Sequence, residues 1–491
     1  MPIVVSASTQ PFDVEWEPRE KDVKAYLHFD RRLSAREIKR IGNDADFVSK
    51  NSFFPLLRFD ESWTKFRKNG VLVQKKRPIR YASRRDSAIY ASYRSMLSRF
   101  YESELSKRGL GDFPVAYRKI PKDGGGNKSN IEISKEIFNY VRKLGDCIVT
   151  VVDIKSYFES LDHSRLRDTW AAMIGCDLPP DHEAVFKSIT QYSFVSVDQL
   201  LKRLDMLSLD GGANRKERRQ RKIDKLRDRH HLQLCSPSQF RDLVSGRRSA
   251  FPSIIQKNGF DFGIPQGTPI SDLLANMYLI DFDEEIGKYV QSLGGIYRRY
   301  SDDIVVVLPK ENSEYEMLAK EMLQSTIRKY GSHLKIQNKK VAVVEFTKSS
   351  SGLLFTHRYG KSSKNGLEYL GFQFDGVQVR IKDATLSNAW RKLKKRSYGY
   401  AWRFVKRYRA RGIEWLSVNY PSSLLEKQLL QCVTYSQDTG FEKWTFLKYV
   451  ERANRAFQDY NCAFTNQTRR YRKLTRRVIK LSFERAVQKH S

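Results

Sequence analysis

The sequence predicts an α+β fold, with a small antiparallel sheet surrounded by helices and followed by a basic helical region. Three observations predict it. "CIVTVVDI" (147–154) is a short β-branched run of the kind that forms buried strands. "GGIYRRYSDDIVVVLP" (294–309) reads as a hairpin with a tight turn at Ser301–Asp302. From about 385 the period becomes helical and strongly basic, through "WRKLKKRSYGYAWRFVKRYRARG" to "TRRYRKLTRRVIKLSFERAV".

The elements follow in order. Residues 1–70 form an N-terminal extension with a basic amphipathic stretch, "DRRLSAREIKRIG". Residues 71–145 open with an extended piece, "VLVQKKRPIRYAS", and continue with the helical pattern "SAIYASYRSMLSRFYESEL". "IPKDGGGNKSN" must be a loop, with glycines and lysines that can face phosphate or simply connect. Residues 146–375 hold the strand ending in Asp153, a helical stretch over 163–205 and a basic insertion at about 205–250. A loop-to-helix segment, "FGIPQGTPISDLLANMYLIDFDEEI", comes next, then the hairpin, a helix over 313–330 and the strand "KKVAVVEF". "GLEYLGFQFDGVQVRI" alternates around a turn at Asp375–Gly376 and reads as a second hairpin. Residues 376–491 make the basic helical end of the chain.

Composition narrows the function. The chain has 491 residues, which implies several domains or subdomains, and 40% are hydrophobic, enough for a sizeable core. Lys and Arg number 89 against 56 acidic residues, a net charge of +33. That excess points to a polyanion such as RNA or DNA. The five cysteines are scattered without a CxxC or Cys/His cluster, which argues against a zinc site or a disulfide framework and fits a reducing cytoplasm. The N-terminus lacks the pattern of a secretory signal. No apolar run approaches the length of a membrane span, so no membrane partner is expected.

If the strand ending in Asp153 lies beside the hairpin bearing Asp302 and Asp303, three carboxylates converge. Two unit charges about 4 Å apart repel by roughly 4 kcal/mol at an effective dielectric of about 20. Hard oxygen ligands without His or Cys favour Mg²⁺, and two such ions are a known device for phosphoryl transfer. Taken alone, Asp302–Asp303 is equally an ordinary hairpin turn.

Several motifs in order settle between these readings. "VTVVDIKSYFESLDH", "GIPQGTPISDLLANMYL", "RYSDDIVVV", "LEYLGFQF" and "KRPIRYASRRDSAIY" together resemble bacterial retroelement-type reverse transcriptases, akin to group II intron and retron enzymes. They resemble, in turn, the first catalytic motif, the PQG motif, the YxDD motif, the primer-gripping hairpin and the fingers motif, and they span about 75–375. The resemblance implies a right-hand polymerase of fingers, palm and helical thumb. It implies Asp153, Asp302 and Asp303 as catalytic, with Ile154 joining them in binding two Mg²⁺ ions, for which Mn²⁺ can substitute. Phe158 takes the place that excludes a ribose 2′-hydroxyl, which implies deoxynucleotide substrates. Gln266, Gly267 and Tyr300 face the nucleotide and primer end, and Arg77 and Arg80 the triphosphate. Lys339 or Lys340 stands near the leaving group. Leu370 and Gly371 of the gripping hairpin, and Arg391, Lys394, Lys395, Arg403 and Lys406 of the thumb, are the nucleic-acid contacts. The family often has Arg after the fingers Asp86; here it is Ser87, and Arg84 or Arg85 is the substitute.

The chain also resembles the bacterial reverse transcriptases of antiphage defence, which commonly work with a partner noncoding RNA as template or scaffold, and some of which self-assemble. Implied partners are thus an RNA template, a DNA product or primer, and dNTPs. A mobile group II intron or retron enzyme is the runner-up. RNA-dependent RNA polymerase and non-catalytic RNA-binding protein are the readings from other classes.

Overall fold

The computed structural model describes residues 14–66, 72–204, 233–247, 251–310, 315–350, 352–360, 366–430, 433–435 and 443–490. Most of the expected basic insertion lies outside them.

The central sheet has five antiparallel strands. They are β3 (Cys147–Asp153), β6 (Ile296–Tyr300), β7 (Asp303–Pro309), β8 (Ala342–Ser349) and β9 (Gly352–Gly360), in spatial order β6–β7–β3–β8–β9. Strand alternation divides its side chains between two cores. Ile148, Val152, Ile304 and Val306 face one core, beneath the helices Arg84–Arg108, His163–Ile174 and Ser271–Tyr278. Val149, Val305, Val307 and Val344 face the other, which holds the Asn130–Leu144 helix. Because β3 is covered on both faces, its sequence is a near-continuous apolar run rather than an alternating one.

A second sheet joins β1 (Leu56–Phe66), β2 (Leu72–Tyr81), β4 (Ser193–Ser196) and β5 (Gln256–Lys257) in the order β2–β1–β4–β5. The expected boundary at residue 70 therefore falls inside the β1–β2 hairpin, whose strands pair from Leu57–Tyr81 to Phe66–Leu72. The following helix begins at Arg84, where the Ser83 side chain accepts from the Asp86 amide, and ends at Gly109 in the left-handed region (φ 70°).

The third sheet is a meander of β10 (Leu367–Tyr369), β11 (Phe372–Phe374) and β12 (Gln378–Ile381), with the short strand Asn461–Cys462 paired parallel to β12. The sequence placed one turn here, at Asp375–Gly376. The structure has a second, at Leu370–Gly371, with positive φ at both residues (41° and 95°). The Lys382 amide donates to the Gly371 carbonyl and the Asn130 side chain to the Leu370 carbonyl, and these bonds hold the turn.

Beyond the meander the long helix Asp383–Tyr408 packs on the helix Tyr471–Gln488. Leu393, Ser397, Ala401 and Val405 form its buried row at spacing four, facing Thr475, Ile479 and Ala486. β4, inside the stretch expected to be helical, and β9 are two strands the sequence reading missed.

Candidate active site

The site is built at the end of the central sheet. Cross-strand pairing of β3 with β7 runs from Cys147–Pro309 to Asp153–Asp303, so Asp153 and Asp303 are direct partners. The Ile154 amide donates to the Asp302 carbonyl at 2.9 Å, which fixes Asp302 beside them. Ser301, in the turn between β6 and β7, adopts φ 60°. The motif that the sequence placed on a hairpin turn thus presents its carboxylates where two strands end together.

The three carboxylates do not form a closed ligand cage: among the described residues, no three acidic, His or Cys side chains do. An Asp153 oxygen is instead taken by the Lys340 ammonium. Electrostatics supplies the reason. Burial, and after it the charges of Asp302 and Asp153, push the Asp303 carboxyl up to about 7, against the pull of Lys340 and Lys382. Asp302 is raised too, by burial first and Asp153 second. Excess negative charge gathers here, and Lys340 is its cationic stand-in. All-oxygen, anionic donors fit a hard divalent cation.

A raised carboxyl means that between about pH 4 and 7 the folded chain holds more protons than the unfolded one. The contribution of Asp303 to stability therefore falls as pH rises through that window. A divalent cation offsets the repulsion only where the carboxylates are ionised. Mg²⁺ is expected to raise Tm more at about pH 8 than at about pH 5. Differential scanning calorimetry checks this, and an equal rise at both pH values contradicts it.

The other expected residues divide. Phe158 lies half-buried in the short helical turn Tyr157–Ser160, with its carbonyl accepting from Ile264 at 2.7 Å. That bond docks it to the PQG loop. The Gln266 carbonyl accepts from the Arg80 amide at 2.9 Å, and Gly267 (φ 117°) passes so close to β2 that a Cβ there would meet the Arg80 carbonyl at 2.5 Å. Glycine is required at 267 on both counts. Arg77 is exposed on β2, and its charge acts on Asp302. Arg80 is buried against Tyr192 and Phe194, 4.0 Å from Glu159. Tyr300 is half-buried beside Tyr117.

Two expectations need correction. Of the adjacent lysines, Lys340 reaches Asp153, whereas Lys339 is exposed with no ion pair among the described contacts. A single turn of the 3-10 helix Asn338–Lys340 aims only one of them at the sheet end. Neither Arg84 nor Arg85 substitutes for the missing fingers arginine. Arg84 is buried against the Asp30 carboxylate and carbonyl, and Arg85 donates to the Ser52 carbonyl and covers Phe54. Both clamp the N-terminal segment.

Leu370 and Gly371 line a cleft of about 160 Å³ with Asp153, Asp303, Lys340 and Lys382. Lys382, which the sequence reading did not single out, pairs with Glu368 at 2.8 Å at its mouth. On the helix Asp383–Tyr408, Arg391, Lys394, Lys395, Arg403 and Lys406 are all exposed. Lys394 and Lys406 lie over the rings of Trp390 and Trp402, at 5.5 and 4.6 Å. Tyr400, Phe404 and Tyr408 pack among the C-terminal helices, against Tyr420 or Trp415.

Asp153, Asp303 and the Leu370–Gly371 turn line one cleft, and the glycine of the PQG loop packs on β2. Residues 230–374 match the family described as "Reverse transcriptase (RNA-dependent DNA polymerase)", so the chain carries a reverse transcriptase domain. The match spans the PQG loop, Asp302–Asp303 and the Leu370–Gly371 turn; Asp153 precedes it and pairs with Asp303 across the strands. No curated protein matches the sequence. Solved structures similar to it include apo telomerase from Candida tropicalis truncated from its C-terminal domain (9% identity, 72% of this chain and 61% of that one, TM-score 0.37). Others are Candida tropicalis telomerase with a TWJ fragment of telomeric RNA (12%, 93% and 66%, TM-score 0.35) and the corresponding Candida albicans complex (10%, 89% and 61%, TM-score 0.34). The chain spans about two thirds or less of the length of these telomerases.

Proposed function

We propose that the protein is an RNA-directed DNA polymerase that extends a DNA strand from dNTPs on an RNA template. The pairing of Asp153 with Asp303, one residue from Asp302, carries this reading. In the reaction a hydroxyl oxygen attacks the α-phosphorus, its proton is lost, and pyrophosphate leaves. Asp153, Asp302 and Asp303, with the Ile154 carbonyl, would hold Mg²⁺. When bound, the metal lowers the pKa of the attacking hydroxyl and offsets charge on the leaving group. Arg77 and Arg80 offer fixed cations to the triphosphate. Lys340 exchanges its partner Asp153 for the leaving group, and the Gln266–Gly267 backbone holds the nucleotide against the fingers. Primer extension with template, dNTPs and Mg²⁺ tests the whole; a wild-type protein that incorporates nothing refutes it.

Phe158 sets the sugar. The motif resemblance supports this, and the backbone bond from Ile264 to the Phe158 carbonyl ties the residue to the PQG loop. Phe158→Ala is expected to lower discrimination against NTPs by about 10- to 200-fold, the worth of a steric contact of this size. Competition between dNTPs and NTPs measures it. A wild-type preference for NTPs makes the protein an RNA polymerase instead.

We also propose that the enzyme works in a bacterial cytoplasm, in antiphage defence, with a noncoding RNA as template or scaffold. The motif resemblance, the net charge of +33 and the exposed cations of the thumb helix support this. Sequencing the nucleic acid that copurifies is expected to find one RNA species. Random fragments contradict the partner, and an intron RNA places the protein with the mobile-intron enzymes.

A further inference from the structure

Tyr117 stands outside every motif named so far. It is 47% exposed, yet its backbone is in the left-handed region at φ 62°, which bulky residues rarely adopt. Its hydroxyl lies 3.4 Å from the Ser301 hydroxyl, and Ser301 is itself left-handed. Two strained residues therefore meet one position from Asp302.

One buried polar network holds both. The Asn276 side chain donates to the Ala116 carbonyl at 2.8 Å, and Asn276 accepts from Arg299 at 3.1 Å. Arg299 donates in turn to the Ser301 carbonyl at 3.3 Å. Arg94 donates to the Tyr117 carbonyl at 3.4 Å while it is clamped on Asp272 at 3.0 and 2.9 Å. Strain of this kind persists where surroundings over-determine it, and it clusters where function needs it. What the network holds in place is an exposed aromatic ring.

Its location selects the ligand. Residues 113–115 hydrogen-bond to Arg299 along the free edge of β6. Across the sheet the order is residues 113–115, β6, β7, β3, β8. Asp153 ends β3 and Lys340 precedes β8, so the Asp153–Lys340 pair lies on the far side of Asp302 and Asp303 from β6, the side the polymerase reading gives to the reacting phosphates. Tyr117 lies at the opposite margin, with the helix behind the PQG loop and Arg77 as neighbours.

We propose that Tyr117 is a platform on which the templating nucleobase stacks; this rests on the polymerase reading above. Stacking of a base on an aromatic side chain corresponds to about 5- to 150-fold in affinity. The probe is a primer–template duplex with one unpaired templating nucleotide, either a normal base or an abasic residue, with Kd measured by fluorescence anisotropy. Tyr117→Ala is expected to raise Kd about 5- to 150-fold on the normal template and to leave it unchanged on the abasic one. Tyr117→Phe should lie at least about fivefold below the Ala variant. Tyr117→Gly removes the ring and relieves the left-handed backbone, so it should weaken binding with a Tm equal to or above that of wild type. Equal losses on both templates, or no loss on either, overturn the inference while wild-type extension leaves the polymerase reading intact. Wild-type protein that neither binds nor extends the duplex overturns that reading, and the inference with it.

Discussion

Asp303→Asn is expected to lower the rate of nucleotide incorporation by at least about a thousandfold while leaving Tm equal or raising it. The loss follows from removing one charge from the oxygen set that would hold the metal. Metal stabilisation of a phosphoryl transfer amounts to several kcal/mol, and each 1.36 kcal/mol is tenfold in rate. The gain follows from the same electrostatics. Asp303 is pushed up to about 7 by burial and by Asp302 and Asp153, so ionising it costs the folded state near neutral pH. A neutral amide of the same shape does not meet that repulsion. The variant therefore separates chemistry from folding, a trade expected where a site is destabilised for function. Asp153→Asn behaves differently: it loses activity, and it also deprives Lys340 of its counterion. Lys340 is about half exposed, so water replaces the partner and the stability change is small. Single-turnover primer extension and calorimetry on the two variants check both halves. Wild-type rates for Asp303→Asn would remove Asp303 from the chemistry.

The legible parts of this protein were those where chain-local rules and the final structure agree. The turn at Ser301–Asp302 could be read because an apolar strand begins directly after two acids. The β3 strand could be read because burial on both faces makes it uniformly apolar. β9 was missed because it is an edge strand, with Leu354, Arg358 and Tyr359 exposed, so it carries no apolar period. β4 was missed because four residues between two helices are too short to show alternation. The choice between Lys339 and Lys340 depends on how one helical turn meets the sheet, which no spacing encodes. Arg84 and Arg85 looked like ligand-binding cations, but they face Asp30 and the Ser52 carbonyl, more than thirty residues away in the chain. Tyr117 gave no signal at all. Its backbone angle and its neighbour Ser301, 184 residues on, exist only in three dimensions.

Arg299→Ala is expected to be the most destabilising single change in the central sheet. Arg299 and Asp283 are both fully shielded from solvent and pair at 2.7 and 2.6 Å through Nε and Nη2. Tyr297 donates its hydroxyl to the same carboxylate at 2.6 Å. Removing the cation leaves Asp283 buried without its countercharge, at a cost of about 3–5 kcal/mol. Asp283→Leu should cost a similar amount, because it strands the guanidinium. The double variant Arg299→Met with Asp283→Leu replaces the pair by apolar volume and should recover most of the stability, since a buried pair is often no better than well-packed hydrophobic residues. Activity is expected not to follow. Arg299 is also the donor to the Ser301 carbonyl, and Ser301 is the left-handed residue that carries Asp302 and Asp303. Without that donor the turn loses one of the bonds that hold its backbone, and carboxylate placement loosens. Denaturant unfolding and primer extension on the three variants distinguish the roles. If stability and kcat return together in the double variant, Arg299 serves packing alone. If stability returns while kcat stays low, the buried pair positions the carboxylates.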